Sequence, residues 1–141
     1  MKKTAKCGLY LLLILLIGLN LVSCGKTEGD IWENAMYTED TEFGEGSKTL
    51  TVKVEAADKT VTFKIHTDKK TVGEALEEHS LVSGEEGAYG LYIKFVNGIE
   101  ADYNKNGAYW AFNKDGGYMS TGVDKTEFSD GDSFELVYTK E

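Results

Sequence analysis

The chain has 141 residues, of which 24 are acidic and 15 basic, giving a formal net charge of −9 at pH 7. Every basic residue is lysine, so no arginine is present to grip phosphate with two parallel hydrogen bonds. An acidic surface of this kind repels nucleic acid, and the composition therefore excludes nucleic acid as a partner.

The N-terminus has the layout of a secretory signal peptide. Three lysines fall within the first six residues, and residues 9–22 are mostly leucine and isoleucine. A positive segment followed by an apolar one is typical of exported proteins, and we predict a signal peptide over residues 1–23. A permanent membrane helix is the alternative, but the apolar run is shorter than the roughly 20 residues needed to span a bilayer.

The end of this segment indicates lipidation. Leu21-Val22-Ser23-Cys24 resembles the lipobox of bacterial lipoproteins, in which the cysteine is acylated and becomes the new N-terminus. We therefore predict acylation of Cys24, which would place the protein on the extracytoplasmic face of the cell membrane with the lipid membrane as a partner. Cys7 would be removed with the signal peptide, so we expect no disulfide. Three lysines would be lost as well, leaving 12 basic and 24 acidic residues and a charge of about −12.

Residues 24–47 are predicted to be the lipidated N-terminus and an acidic flexible linker, because they are rich in Gly, Thr and Glu and show no apolar periodicity. Four residues are unusually apolar for a spacer. They are Trp32, Met36, Tyr37 and Phe43. Docking of a partner by these side chains is an alternative, but scattered aromatic residues in a loose linker fit the composition better.

Residues 48–141 are predicted to form one domain. Apolar residues alternate with polar ones over 50–56 and again over 61–66, which predicts two half-buried strands joined as a hairpin. Thr71 and Glu74 have the spacing of a capping box, and an apolar stripe predicts a short helix over 72–79.

The second half of this domain is again strand-like. Alternation predicts strands over 91–96, 99–103, 108–113 and 134–138, with Asn97-Gly98 as the strongest hairpin turn. The order of elements predicts an α+β fold, a small β-grasp-like mixed sheet with one packed helix.

Candidate catalytic and metal motifs are weak. Residues 102–107 copy the first half of a calcium loop, but Asn113 stands where the bidentate glutamate is required, so a polar turn is the better interpretation. His66 and His79 lack the spacing of metal ligands, and we expect no metal site. No serine or cysteine lies in a nucleophile motif, so we expect no enzymatic activity.

The richest candidate for binding is residues 107–122, where aromatic residues crowd two adjacent strands. Trp110 and Phe112 should share one face and Tyr109 should lie on the other, so one set can fill the core while the other remains at the surface. Gly117 and Gly122 would let the backbone approach a ligand closely. The predicted ligand-binding residues are Tyr109, Trp110, Phe112, Tyr118 and Met119.

From about residue 49 to residue 140 the chain resembles the transcobalamin-like C-terminal domain, known in bacteria as DUF4430. The residues that carry the resemblance are Thr71-Val72-Gly73-Glu74-Ala75-Leu76, Leu91-Tyr92, Val96-Asn97-Gly98, Ala101-Asp102-Tyr103, Tyr109-Trp110-Ala111-Phe112, Ser120-Thr121-Gly122-Val123, Asp130-Gly131-Asp132 and Phe134-Glu135-Leu136-Val137-Tyr138.

This resemblance implies a β-grasp-like fold at the cell surface. In the vitamin B12 carriers, the domain closes over the corrinoid against a larger helical domain. We therefore expect a non-catalytic module that binds a corrinoid (cobalamin-like) or another cofactor-like small molecule for uptake, with a transporter or surface protein as a further partner. The alternative is a surface module for protein–protein interaction or adhesion.

Overall fold

The computed structural model describes residues 30–141, and residues 31–141 form one compact unit. The predicted signal peptide over 1–23 and the predicted acylation site Cys24 lie outside the described residues. Within residues 30–141, no helix has the length and the apolar character needed to cross a bilayer.

The larger of two sheets has six strands in the order β1-β3-β2-β9-β7-β8. Its strands are β1 (Thr41–Phe43), β2 (Lys48–Ala56), β3 (Lys59–Thr67), β7 (Ala108–Lys114), β8 (Gly117–Tyr118) and β9 (Ser133–Lys140). The hairpin predicted from alternation is β2 and β3, which pair antiparallel from Lys48↔Thr67 to Ala56↔Lys59. The predicted mixed sheet with few helices is confirmed, which places the fold in the α+β or mostly-β class.

Strand β9 holds the two halves of this sheet together. It pairs parallel with β2, with Val52 opposite Phe134 and Val54 opposite Leu136, and antiparallel with β7 on its other side. These four residues are fully or almost fully buried. The centre of the large sheet is therefore built from strands more than 75 residues apart in sequence.

Helix α1 (Val72–Glu77) begins as predicted. The Thr71 side chain accepts a hydrogen bond from the Glu74 backbone N–H at 3.2 Å, and the Glu74 carboxylate accepts from the Thr71 N–H at 3.3 Å. This reciprocal cap satisfies donors that the first turn of a helix leaves free. The helix ends two residues before the predicted end at His79.

The smaller sheet contains β4 (Val82–Gly87), β5 (Gly90–Val96) and β6 (Ile99–Glu100), all antiparallel. Strand β4 was not predicted, because only Val82 among its residues is buried and it carries no apolar alternation. Strand β6 is shorter than predicted, since residues 103–106 form a one-turn helix, α2 (Tyr103–Asn106).

The core lies on one face of the large sheet, beneath α1 and the small sheet. Inward residues of β2, β3, β7 and β9 join those of α1 and β5 in a single buried cluster. The opposite face of β2 and β3 carries polar residues such as Lys53, Lys64 and His66. One-sided burial is what fixes the register of the hairpin.

The flexible-linker prediction for residues 24–47 is wrong for its second half. Trp32 is 4% exposed within the core, and its indole N–H donates to the Ala56 carbonyl at 2.9 Å. Farther on, the buried Asn97 side chain bonds both the N–H and the C=O of Tyr37, at 2.9 and 2.7 Å. We call residues 31–43, which end in β1, the N-terminal strap. It is ordered because its aromatic side chains fill gaps in the domain.

Candidate functional site

A groove of about 320 Å³ lies between β5 of the small sheet and β7 of the large one. Half of the residues that line it are aromatic. It is lined by Leu91, Tyr92, Ile93, Tyr103, Tyr109, Trp110, Phe112, Gly122, Val123 and Glu141. We call this the aromatic groove.

The aromatic groove adjoins a second hollow of about 470 Å³ at the β4–β5 turn, and the two share Leu91, Tyr92 and Gly122. The residues that line this second hollow are uncharged, and most of them are small or aromatic. The remaining lining residues are Gly87, Ala88, Tyr89, Gly90, Met119, Ser120 and Thr121. We call this the adjoining hollow.

A short turn fixes the β5 wall in place. Asp124 follows β8 in a 3-10 turn (Val123–Lys125), and its Oδ1 accepts a hydrogen bond from the Leu91 N–H at 2.7 Å. A side chain at Gly122 would place its Cβ 3.2 Å from the Leu91 nitrogen and 2.9 Å from Asp124 Oδ1. The close backbone approach predicted at Gly122 is therefore made to β5 of the same chain.

The β7 wall follows the predicted alternation. Trp110 and Phe112 are 7% and 9% exposed, whereas Tyr109 is only half-buried. The indole N–H of Trp110 donates to the Ile99 carbonyl at 3.2 Å, and Phe112 stacks on Phe134 with ring centroids 5.4 Å apart. Both rings thus belong mainly to the core and present only a small part of their surface to the groove.

The residues predicted to bind a ligand do not all line the same space. Tyr109, Trp110 and Phe112 line the aromatic groove, and Met119 lines the adjoining hollow. Tyr118 is 73% exposed and lines neither, although its hydroxyl lies 3.3 Å from that of Tyr109.

The hydroxyl of Tyr109 stays protonated over a wide pH range. Its hydrogen bond with Tyr118 raises the pKa, and partial desolvation and the nearby charge of Glu141 act in the same direction. A phenol in this state can donate a hydrogen bond to a ligand and carries no charge of its own.

Helix α2 brings a third tyrosine to the groove. Asp102 caps this helix by accepting from the Asn104 N–H at 3.0 Å, so the motif that resembles a calcium loop serves as a helix cap. The Tyr103 hydroxyl then donates to Glu141 Oε2 at 3.3 Å. Among the residues that line the aromatic groove, Glu141 alone carries a charge.

Sequence reasoning missed Tyr92, Tyr103 and Glu141 as lining residues. Tyr92 was recognisable as the polar-face residue of a predicted strand, and it is 43% exposed. Nothing in the sequence, however, indicates that β5 would lie beside β7. The only signal in the sequence that could have pointed to a tyrosine-lined site was the number of tyrosines at exposed positions.

A polar hollow of about 410 Å³ lies at the other side of the domain, beside the end of β1. His66 of its lining bonds Glu42 through Nε2, and the neighbouring His79 ring stacks on Phe43 with centroids 4.9 Å apart. Across residues 30–141, no three His, Cys, Asp or Glu side chains are grouped so that they could hold a metal ion.

The comparisons with known proteins identify a family. The sequence model of the family described as Domain of unknown function (DUF4430) matches residues 69–140. No curated protein matches the chain significantly.

Two solved structures resemble the chain. A protein from Ruminococcus gnavus ATCC 29149, described as a proposed metal binding protein, is 40% identical with a TM-score of 0.63, over 67% of this chain and 99% of its own. Haptocorrin in complex with cobinamide (Cbi) is 20% identical with a TM-score of 0.55, over 70% of this chain and 26% of haptocorrin. The similarity to haptocorrin therefore shows a shared fold.

Proposed function

The chain belongs to the DUF4430 family, and from this premise we propose that it is a non-catalytic module that binds a small organic molecule in the aromatic groove. The observation that carries the proposal is the groove itself. It brings three partly exposed tyrosines and two buried aromatic rings from both sheets around one concave space. Concave, mostly apolar sites with a few placed polar groups are where small ligands bind.

We propose a corrinoid or another cofactor-like molecule with a large flat face as the ligand. The support is the shared fold with haptocorrin, whose structure holds cobinamide, together with aromatic walls that suit a flat ligand. This chain spans about a quarter of haptocorrin. A single domain would therefore cover one face of such a ligand and would bind it more weakly than an enclosing protein does.

We further propose that the module is a lipoprotein held on the extracytoplasmic face of the membrane by acylated Cys24, in a cell where captured ligand passes to a transporter. The lipobox-like tetrapeptide supports this placement.

We also propose that the fold is β-grasp-like. The pairing of β2 with β9, next to the β2–β3 hairpin and α1, supports this classification.

Titration of the purified chain with cobinamide and cobalamin tests the proposal, with heat release and the corrin absorption spectrum as the measurements. We expect saturable binding that weakens about 5- to 100-fold in Tyr92→Ala, as for a contact residue at a binding site. The control is Phe95→Ala on the same strand, which is 39% exposed but does not line the groove. Absence of heat and of spectral change up to about 1 mM, an affinity near −4 kcal/mol, would reject a corrinoid ligand.

A protein partner is the second candidate, favoured by the exposed aromatic residues of the β4–β5 hairpin. Tyr89 is 86% exposed at its tip, and Tyr92 and Phe95 follow on β5. Exposed aromatic patches often mark interaction sites. A partner that binds through this hairpin would lose affinity in both Tyr89→Ala and Phe95→Ala, whereas a ligand in the groove would be indifferent to Phe95→Ala.

A further inference from the structure

We propose that the aromatic groove selects a positively charged organic ligand, such as a quaternary ammonium group or a comparably diffuse cation. This inference rests on the proposed function, because it assigns a charge to the ligand of the same groove. It goes beyond that function in excluding anionic ligands.

The charge of the lining is the first observation. Glu141 is the only charged residue among those that line the aromatic groove, and none of those that line the adjoining hollow is charged. No described lysine lines either space. A carboxylate without a basic counterpart favours a cation and disfavours an anion.

Two lysines on neighbouring elements are engaged with carboxylates outside the groove. Lys94 of β5 pairs with Glu85 at 3.0 Å, and Lys105 of α2 pairs with Glu100 at 2.8 Å. These contacts raise the pKa of both lysines, so each keeps its charge beside its own carboxylate. Neither lysine is placed to neutralise Glu141 from within the groove.

The aromatic rings supply the second part of the site. Tyr92, Tyr103 and Tyr109 line the groove from three different elements, β5, α2 and β7. The face of an aromatic ring carries negative charge density and attracts a cation. Several rings around one space, with a carboxylate at the side, are the arrangement that proteins use to hold alkylated ammonium groups.

The hydrogen bonds hold this arrangement in place. Tyr103 donates to Glu141 Oε2, which orients the carboxylate, and Tyr109 keeps its proton and therefore adds no second negative charge. Glu141 is also fixed through its backbone, since its N–H donates to the Gly107 carbonyl at 3.1 Å. The groove thus presents an oriented side-chain carboxylate among neutral rings.

The test compares three probes that share a trimethyl head group on the purified full chain: choline, its neutral isostere 3,3-dimethyl-1-butanol, and the smaller anion pivalate. Calorimetry and tyrosine fluorescence measure binding at low and high salt. We expect choline to bind about tenfold more tightly than the neutral isostere, and pivalate to show no binding. Glu141→Gln keeps the size of the side chain and one acceptor oxygen, and it should remove most of the preference for choline over the neutral isostere. Tyr103→Leu removes one of the aromatic rings, and it should also weaken choline binding relative to the parent chain.

Glu77→Gln is the matched control, because it removes an exposed carboxylate from α1, outside the groove. Thermal unfolding of each variant verifies that the fold is intact. Equal affinity for choline and the alcohol, or an unchanged preference in Glu141→Gln, would overturn the inference. Corrinoid binding that depends on Tyr92, without choline binding up to about 10 mM, would overturn this inference and leave the proposed function standing. Failure of every probe and of the corrinoids would reject both.

Discussion

Replacement of Trp32 by alanine tests whether the N-terminal strap belongs to the folded domain. The side chain is 4% exposed, and its indole N–H bonds the Ala56 carbonyl at 2.9 Å. Truncation of a buried tryptophan costs about 3–5 kcal/mol through lost burial and the cavity left behind. In a domain of this size, each 1 kcal/mol lowers the melting temperature by about 4 °C. We therefore expect a decrease of about 12–20 °C.

Urea unfolding followed by circular dichroism measures the change, with thermal melting as a second readout. Met36→Ala is the control from the same strap, since Met36 is 48% exposed and should change stability by less than about 0.5 kcal/mol. Trp32→Phe should fall between the two, because it keeps a buried ring and loses the hydrogen bond. A loss below about 1 kcal/mol in Trp32→Ala would refute the assignment of the strap to the core and would restore the linker interpretation.

Three further predictions concern the strap and the helix cap, each checked by urea unfolding. Asn97→Ala should cost about 2–4 kcal/mol, because it removes two hydrogen bonds to the Tyr37 backbone and places alanine at a φ of 53°; a cost below 1 kcal/mol would contradict this. Thr71→Ala should cost about 1 kcal/mol through loss of the cap, and an unchanged midpoint would count against the capping box. The hydrogen bond from His66 lowers the pKa of Glu42 below 4.5, so its contribution is present above pH 4.5 and is lost as the pH falls through the lowered value. Glu42→Gln should therefore be less stable than the parent at neutral pH, and this deficit should shrink as the pH falls below 4.5, whereas an equal deficit at every pH would exclude the hydrogen bond with His66 as the cause.

The spacing of apolar and polar residues predicted those helices and strands that bury one face and expose the other. The β2–β3 hairpin, the start of α1 and the opposite orientations of Tyr109 and Trp110 all follow from residue spacing alone. Spacing does not mark where a helix stops, and α1 ends before the apolar stripe does. Strand β4 was invisible because an exposed strand needs no apolar alternation.

The strap and the groove depend on contacts between distant parts of the chain. Trp32, Tyr37 and Phe43 each meet a different element, so they share no period that could reveal their burial. Likewise, Tyr92 and Tyr109 line one groove only because β5 and β7 come from different sheets that pack together. Such neighbours are set by the tertiary fold, and the sequence predicted only one side of the site.

The position of β9 at the centre of the large sheet has a kinetic consequence. A growing chain that has not yet released residues 133–140 leaves β2 and β7 without their common neighbour, and the core without Phe134 and Leu136. Folding must therefore wait until residues 133–140 are available and then close a loop of about 80 residues, a step that makes sheets of this kind fold in milliseconds to seconds. Shortened chains that lack this strand should accumulate as unfolded, aggregation-prone polypeptide, since two sheet edges remain open at once.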